Sequence, residues 1–164
     1  MKRAIPLDEE EVLEKLRKYC AWQERCRAEA EVKLLALGSP GADVPRLLSV
    51  LESEGFLDEG RYARAYAREK FSQHGWGRIK IREALREKEV LETQIDAALE
   101  LIEDDEYGER LMGMIRKRLG SHPLDDWEAE QKLRGYLAGK GYEADEIDKA
   151  MGRFETRAGE DGAS

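Results

Sequence analysis

The chain has 164 residues and a formal net charge of −8, a length that fits one ordinary domain or a few very small ones. Charged residues make up 39% of it and apolar residues 41%, so only a thin interior is expected. No apolar run approaches the roughly 18 residues of a membrane span, and the first residues lead into charge rather than into a signal sequence. These features predict a cytoplasmic protein without membrane contact.

Residue choice favours helix along the whole chain. Leu, Ala, Glu, Arg and Lys are frequent, Thr occurs only at positions 93 and 156, and no alternating apolar run indicates a strand. Capping signals at Asp8, Asp58 and Asp125 and a series of glycine stop signals divide the chain into nine helices. Their predicted bounds are 9–25, 27–37, 43–54, 58–73, 77–88, 92–103, 105–119, 126–139 and 144–154.

The nine helices group by threes. The segment Ile81–Lys88 aligns with Leu133–Lys140 at an offset of 52, and Ile95 meets Ile147 at the same offset, while a weaker copy lies 51 residues earlier. Any amphipathic helices can be aligned by their leucines, and that remains the alternative. The predicted fold is all-α, with three tandem three-helix modules that stack on one another. The predicted divisions are residues 8–54, 55–103 and 104–154, followed by a polar tail at 155–164.

No catalytic, metal or cofactor site is predicted. His74 and His122 fall in turn regions without a carboxylate cluster at ligand spacing, and no phosphate-binding glycine loop is present. Cys20 and Cys26 lie six residues apart, which matches neither a zinc knuckle nor a redox motif, and packed helix residues explain them more simply. The chain is therefore expected not to be an enzyme.

Positive charge is concentrated in one segment. Residues 61–88 contain nine Arg or Lys against three Glu, a net of +6, so the rest of the chain carries −14. Arg61, Arg64 and Arg68 share one helix face by their spacing, and Arg78, Arg82 and Arg86 form a single row on the next helix. Like charges in such rows repel, which favours a docking surface for phosphates or an acidic protein groove over an ordinary solvated face.

Trp76 stands between Gly75 and Gly77, where it either packs the joint between the two basic helices or presents a flat ring to a partner. The predicted partner-contact or DNA-contact residues are Arg61, Arg64, Arg68, Lys70, Trp76, Arg78, Lys80, Arg82 and Arg86.

The same residues resemble the RecX family of regulatory proteins. The matching segments are Gly55–Glu59, Arg61–Ala63, Tyr66–Arg68, Gly75–Arg78, Ile81–Leu85 and Val90, with Tyr19–Cys26 earlier in the chain and Leu133–Tyr142 later. The resemblance covers residues 11–152. It departs from the family pattern at Glu89, where the family often has glycine, and in the sparse basic content of the first module.

The resemblance implies an activity that composition could not supply. RecX-like proteins bind the RecA recombinase filament on single-stranded DNA, lie along its helical groove, and depress RecA ATPase, strand exchange and coprotease functions. It also implies an elongated, curved body of three modules, and a monomer is expected. Two alternatives stay open: a stand-alone helical DNA-binding module that uses the same basic face, and a helical-repeat adaptor for another protein.

Overall fold

The computed structural model describes residues 7–121, 124 and 126–161, with side chains through Arg153. These residues form nine α-helices and no strand, so the all-α prediction is confirmed. The helices are α1 (Glu9–Trp22), α2 (Arg27–Ala36), α3 (Val44–Ser53), α4 (Glu59–Ser72), α5 (Arg78–Glu87), α6 (Glu92–Glu100), α7 (Asp104–Leu119), α8 (Trp127–Gly139) and α9 (Ala144–Asp161).

Aspartate side chains cap the starts of α1, α4 and α8. At α1 the Asp8 side chain accepts from the Glu11 N–H at 2.8 Å while Glu11 accepts from the Asp8 N–H, which makes a complete capping box. Asp58 caps α4 by accepting from the Arg61 N–H at 2.9 Å. For α8 the prediction was one residue early: Asp126 is the N-cap, and Asp125 lies outside the described residues.

The last helix runs farther than predicted. α9 continues to Asp161, seven residues beyond the predicted end, into the segment expected to be a polar tail. Residues 155–161 contain no proline and only one glycine, so each added residue contributes another backbone hydrogen bond without a steric break. His122, Pro123 and residues 162–164 lie outside the described residues.

A repeated helix ending marks the three-helix pattern. Gly38, Glu89 and Gly141, which are 51 and 52 residues apart, all have positive φ, at 90°, 61° and 95°. In each case the next residue donates its N–H to a leucine carbonyl five residues upstream, at 3.1–3.2 Å, as in a Schellman motif. The backbone therefore repeats at the offsets seen in the sequence, and the helical-repeat prediction is confirmed.

Packing divides the chain into two compact units, each discontinuous in sequence. The first contains residues 7–66 and Leu85–Ala98; the second contains Ala67–Ala84 and residues from Leu99 onward. α4, α5 and α6 each contribute residues to both units. The division into three modules and the elongated, curved form remain predictions.

Each unit has its own apolar core. In the first unit α1, α2 and α3 pack together around Leu16, Leu34 and Leu51, all fully buried. In the second unit α9 packs on α7 and α8. There the Tyr107 ring lies 5.8 Å from the Phe71 ring and 5.0 Å from the Tyr142 ring, measured between centroids.

A close backbone approach fixes the start of α5 within the second unit. The Gly77 N–H donates to the Lys140 carbonyl at 2.8 Å, and the Ile79 N–H donates to the Gly141 carbonyl at 3.0 Å. Two N–H groups at the start of α5, which have no partner within that helix, thus donate to two carbonyls at the end of α8 that also lack an intrahelical partner. A Cβ atom on Gly77 would overlap the Gly141 carbonyl, so the second glycine of the Gly75-Trp76-Gly77 joint is required by close packing.

Candidate functional site

The predicted contact residues lie on α4, on α5 and in the joint between them. Arg61, Arg64 and Arg86 belong to the first unit. The other six, Arg68, Lys70, Trp76, Arg78, Lys80 and Arg82, belong to the second. Many of these cations form ion pairs or hydrogen bonds within the protein. They are described below according to those contacts.

Arg61 closes the loop that precedes α4. Its Nε donates to Glu24 Oε1 at 2.6 Å, and its Nη2 donates to the Gly55 carbonyl at 3.0 Å. The side chain is only partly exposed. Because its guanidinium ties two parts of the first unit together, Arg61 has a structural explanation that needs no partner.

Arg68 and Arg78 make corresponding contacts in the second unit. Arg68 Nη1 donates to Glu106 Oε1 at 2.7 Å. Arg78 Nη2 donates to the Ile102 carbonyl at 2.8 Å and to Asp104 Oδ1 at 2.9 Å. The Arg78 guanidinium also lies 4.1 Å from the centre of the Tyr107 ring, and its side chain is 22% exposed. Arg78 therefore fixes the turn that leads into α7.

The remaining arginines differ from one another. Arg86 pairs with Glu92 in the first unit, and Arg82 is half-buried with an interaction partner of its own. Arg64 is exposed and forms no ion pair with any described residue. Arg68 and Arg86 are exposed as well, but each of them pairs with a carboxylate.

Trp76 and two lysines come together in the second unit. The Nζ atoms of Lys80 and Lys70 lie 4.5 Å and 5.2 Å from the centre of the Trp76 ring, and the His74 ring centre lies 6.3 Å from it. The ring is half-buried, so it packs the joint and also keeps an accessible part. We call Lys70, His74, Trp76 and Lys80 the Trp76 cluster; it pairs cations with an aromatic ring at cation–π distance.

A second basic site was missed by the sequence analysis. A groove of about 840 Å³ in the second unit is lined by four cations, Arg110, Lys117 and Arg118 of α7 and Lys140 after α8. We call it the α7–α8 groove; its other lining residues include His74, Glu109 and Tyr136. In the sequence, Lys117 and Arg118 are explained as positive side chains that interact favourably with the C-terminal end of the α7 dipole. The i, i+7 spacing of Arg110 and Lys117 was the available signal, since it places both on one face.

Cys20, Cys26 and His74 show no arrangement for metal binding. Cys20 and Cys26 are free and buried, and burial raises the pKa of the Cys26 thiol to about 11. Within the described ranges, no group of three or more His, Cys, Asp or Glu side chains could hold a metal ion. No helix in this part of the chain is long and apolar enough to cross a membrane.

Comparison with known proteins decides the family. Two family models match: the second three-helix domain of RecX over residues 58–99 and the third three-helix domain of RecX over residues 104–151. The regulatory protein RecX of Leptothrix cholodnii is 31% identical over 134 residues, which cover 82% of this chain and 83% of that protein. The chain belongs to the RecX family of regulatory proteins. The resemblance seen in the sequence is thereby confirmed.

Other RecX proteins agree with this assignment. RecX of Halorhodospira halophila is 32% identical over 127 residues, covering 77% of this chain and 78% of that protein. The crystal structure of RecX from Lactobacillus salivarius has the same fold, with a TM-score of 0.82 at 22% identity, covering 90% of this chain and 96% of that one. All nine predicted contact residues fall in the segment matched by the second RecX domain, and the four cations of the α7–α8 groove fall in the third.

Proposed function

We propose that this RecX-family protein binds the RecA filament on single-stranded DNA and modulates it. The effect is mainly inhibition of RecA ATPase, strand exchange and coprotease activity. The observation that supports this most strongly is the match to proteins named regulatory protein RecX over about four fifths of both chains. The protein acts in the cytoplasm, by binding rather than by catalysis, and as a monomer.

We assign a filament contact to the Trp76 cluster in the second unit and, as a separate contact, to Arg64 in the first unit. Lys70 and Lys80 carry charge beside an accessible ring, and Arg64 is exposed without an ion pair among the described residues. Such groups can bind carboxylates of an acidic groove or phosphates of the enclosed strand. Arg61, Arg68, Arg78 and Arg86 each pair with a carboxylate of this protein, so each is assigned a role in stabilising its own unit.

The test is RecA ATPase on single-stranded DNA, titrated with this protein. The parent protein is expected to lower the steady-state rate. Lys70→Glu/Lys80→Glu is expected to shift the half-inhibitory concentration upward at least tenfold, because two attractive charges become repulsive. The matched control is Lys15→Glu/Lys18→Glu, which reverses two exposed charges on α1 and is expected to inhibit like the parent.

The outcomes are separable. A parent protein that changes neither ATPase nor strand exchange contradicts RecA modulation and leaves the two alternatives, a stand-alone DNA-binding module and a helical-repeat adaptor. Inhibition by the Lys70/Lys80 variant at the parent concentration, with circular dichroism unchanged, contradicts the site assignment alone. Arg64→Glu separately tests the contact assigned to the first unit.

A further inference from the structure

The α7–α8 groove gathers cations that form no ion pair with carboxylates in the part of the chain that the structure describes. Arg110, Lys117, Arg118 and Lys140 line it, and Glu109 is the one carboxylate among its lining residues. None of the four forms an ion pair with a described carboxylate, whereas Arg61, Arg68, Arg78 and Arg86 all do. In a chain of net charge −8, four converging unpaired cations create a local field that attracts an anion.

The guanidinium of Arg110 is only partly satisfied by the fold. Its Nη2 donates to the Ser72 carbonyl at 3.1 Å, while its Nε is buried and has no hydrogen-bond partner. Buried polar groups are nearly always paired, so an orphan donor at the wall of a groove is unusual. Arg110 therefore lines the groove with a guanidinium that no carboxylate of the described residues neutralises.

An aromatic ring lies among these charges. The Arg118 guanidinium sits 3.9 Å from the centre of the Tyr136 ring, and Lys140 Nζ lies 5.9 Å from the same centre. The His74 ring lines the groove as well. Cations that can take a phosphate, next to rings that can stack on a base, are the combination found where proteins hold nucleotides without reading their sequence.

Stabilisation of helix ends explains only part of this arrangement. Lys117 and Arg118 stand in the last turn of α7, where cations suit the helix dipole. Arg110 lies two turns upstream of that end, and Lys140 comes from beyond α8, with its Nζ 3.4 Å from the His74 carbonyl. The dipole of α7 does not account for Arg110, whereas Lys140 is the C-cap of α8 and suits the dipole of that helix; both line the same groove.

We propose that the α7–α8 groove binds a nucleotide unit. The phosphate contacts Lys117, Arg118 and Lys140, and the base lies against Tyr136. An acidic protein segment would use the cations but not the rings, so the nucleotide is favoured. The unit belongs either to a free nucleotide or to a single-stranded nucleic acid. This proposal does not depend on RecA, because the site is formed by this chain alone.

The experiment measures binding by the full chain in the absence of RecA. Fluorescence anisotropy is recorded with a labelled 20-residue oligothymidylate and, separately, with a fluorescent ADP analogue. Lys117→Gln/Lys140→Gln is expected to weaken binding at least tenfold. For the oligonucleotide it also lowers the slope of log affinity against log salt by up to about 0.7, the contribution of one phosphate contact to a single strand. Lys15→Gln/Lys18→Gln, of equal charge change, is expected to alter affinity less than twofold.

Two further variants keep the result interpretable. Lys117→Gln/Arg118→Gln changes two exposed side chains and replaces the first variant if substitution of Lys140 perturbs folding. Tyr136→Leu retains an apolar side chain but removes the stacking surface, and a loss of about 5- to 100-fold is expected.

Each result either supports or contradicts nucleotide binding in the α7–α8 groove. Groove-dependent binding of the ADP analogue identifies a free nucleotide, and groove-dependent binding of the oligonucleotide alone identifies a nucleic acid strand. No binding of either probe, or binding that the groove variants and the α1 control weaken equally, overturns the proposal. Inhibition of RecA is measured separately, so a failure here leaves the proposed function standing, and the reverse also holds.

Discussion

At the scale of single residues, the arginines of α4 and α5 divide by what their guanidinium groups contact. Arg78 holds a backbone carbonyl and a carboxylate while lying over a ring, a use of the planar fork that lysine cannot reproduce. Arg64 has no such contact with a described residue. Simultaneous charge reversal of both would mix a folding defect with a binding defect, so substitutions that test binding have to avoid Arg78.

Glu89 has a strained backbone conformation, whereas glycine occupies the corresponding positions of the other two repeats. Its φ is +61°, where Gly38 and Gly141 stand at the corresponding positions, and a side chain in left-handed backbone costs about 1–2 kcal/mol. Glu89→Gly relieves this cost, although the greater freedom of glycine in the unfolded chain offsets part of the gain. We expect a net stabilisation of about 0.5–1 kcal/mol, measured as a higher urea midpoint at unchanged m-value.

The control is the same substitution two residues upstream. Glu87 is the last residue of α5, where glycine loses helix propensity and is expected to cost up to about 1 kcal/mol. A Glu89→Gly protein as unstable as Glu87→Gly would contradict the strain at Glu89.

At the scale of helices, local signals predicted most of the fold. The aspartate caps at α1 and α4 and the glycine stops depend on neighbouring residues, which is why their bounds were close to those observed. α9 ran past its predicted end because nothing in the next seven residues breaks a helix. The site was harder to predict: the pairing of Arg78 with Asp104 and the convergence of Arg110 with Lys140 join residues 26 and 30 positions apart, and composition and spacing carry no record of such contacts.

Tyr107 and Tyr142 pack against each other but differ in their hydroxyl groups. Tyr107 Oη accepts from the Arg78 N–H at 3.0 Å and donates to Glu143 Oε2 at 2.8 Å, while Tyr142 Oη is buried without a partner. Tyr107→Phe is expected to cost about 1–3 kcal/mol, because it leaves buried groups unpaired. Tyr142→Phe is expected to leave stability unchanged or to raise it. Equal losses in urea unfolding would contradict this difference.

Tyr142 also makes the stability of the protein depend on pH in the alkaline range. Burial raises the pKa of Tyr142 to about 12, above its ordinary value of about 10. The folded state therefore keeps the phenol proton longer than the unfolded state does. The resulting stability is complete below about pH 10 and is lost as pH rises toward about 12. The fall in urea midpoint over this range should be smaller in Tyr142→Phe than in the parent; an identical fall would contradict the raised pKa.

Gly77 and Gly141 approach each other closely between the start of α5 and the end of α8. Gly77→Ala places a methyl group where the Gly141 carbonyl lies, so the backbone must separate and two hydrogen bonds weaken. We expect a loss of about 2–4 kcal/mol in thermal or urea unfolding. Gly135→Ala, inside α8 with no atom within 4 Å of the new Cβ, is expected to stabilise by about 0.5–1 kcal/mol. Similar effects at both positions would show that the close approach is not rigid.

At the scale of the whole molecule, the repeat in the sequence and the units of packing divide the chain differently. The repeat predicts a boundary between residues 103 and 104. The second compact unit instead needs Ala67–Ala84 together with the residues from Leu99 onward, because Phe71 stacks on Tyr107 and Gly77 bonds to Lys140. Contacts within the second unit therefore cross the boundary that the repeat predicts.

This distinction predicts how fragments behave. Residues 104–164 alone lose the Phe71 ring and the start of α5, and a chain of roughly 60 residues has little core to spare. We expect this fragment to show weak helicity and no cooperative urea transition. Residues 67–164 contain the entire second unit and are expected to unfold cooperatively. Cooperative unfolding of the shorter fragment would instead make the third module a domain in its own right, since its stability would then not require the segment that carries Phe71 and Gly77.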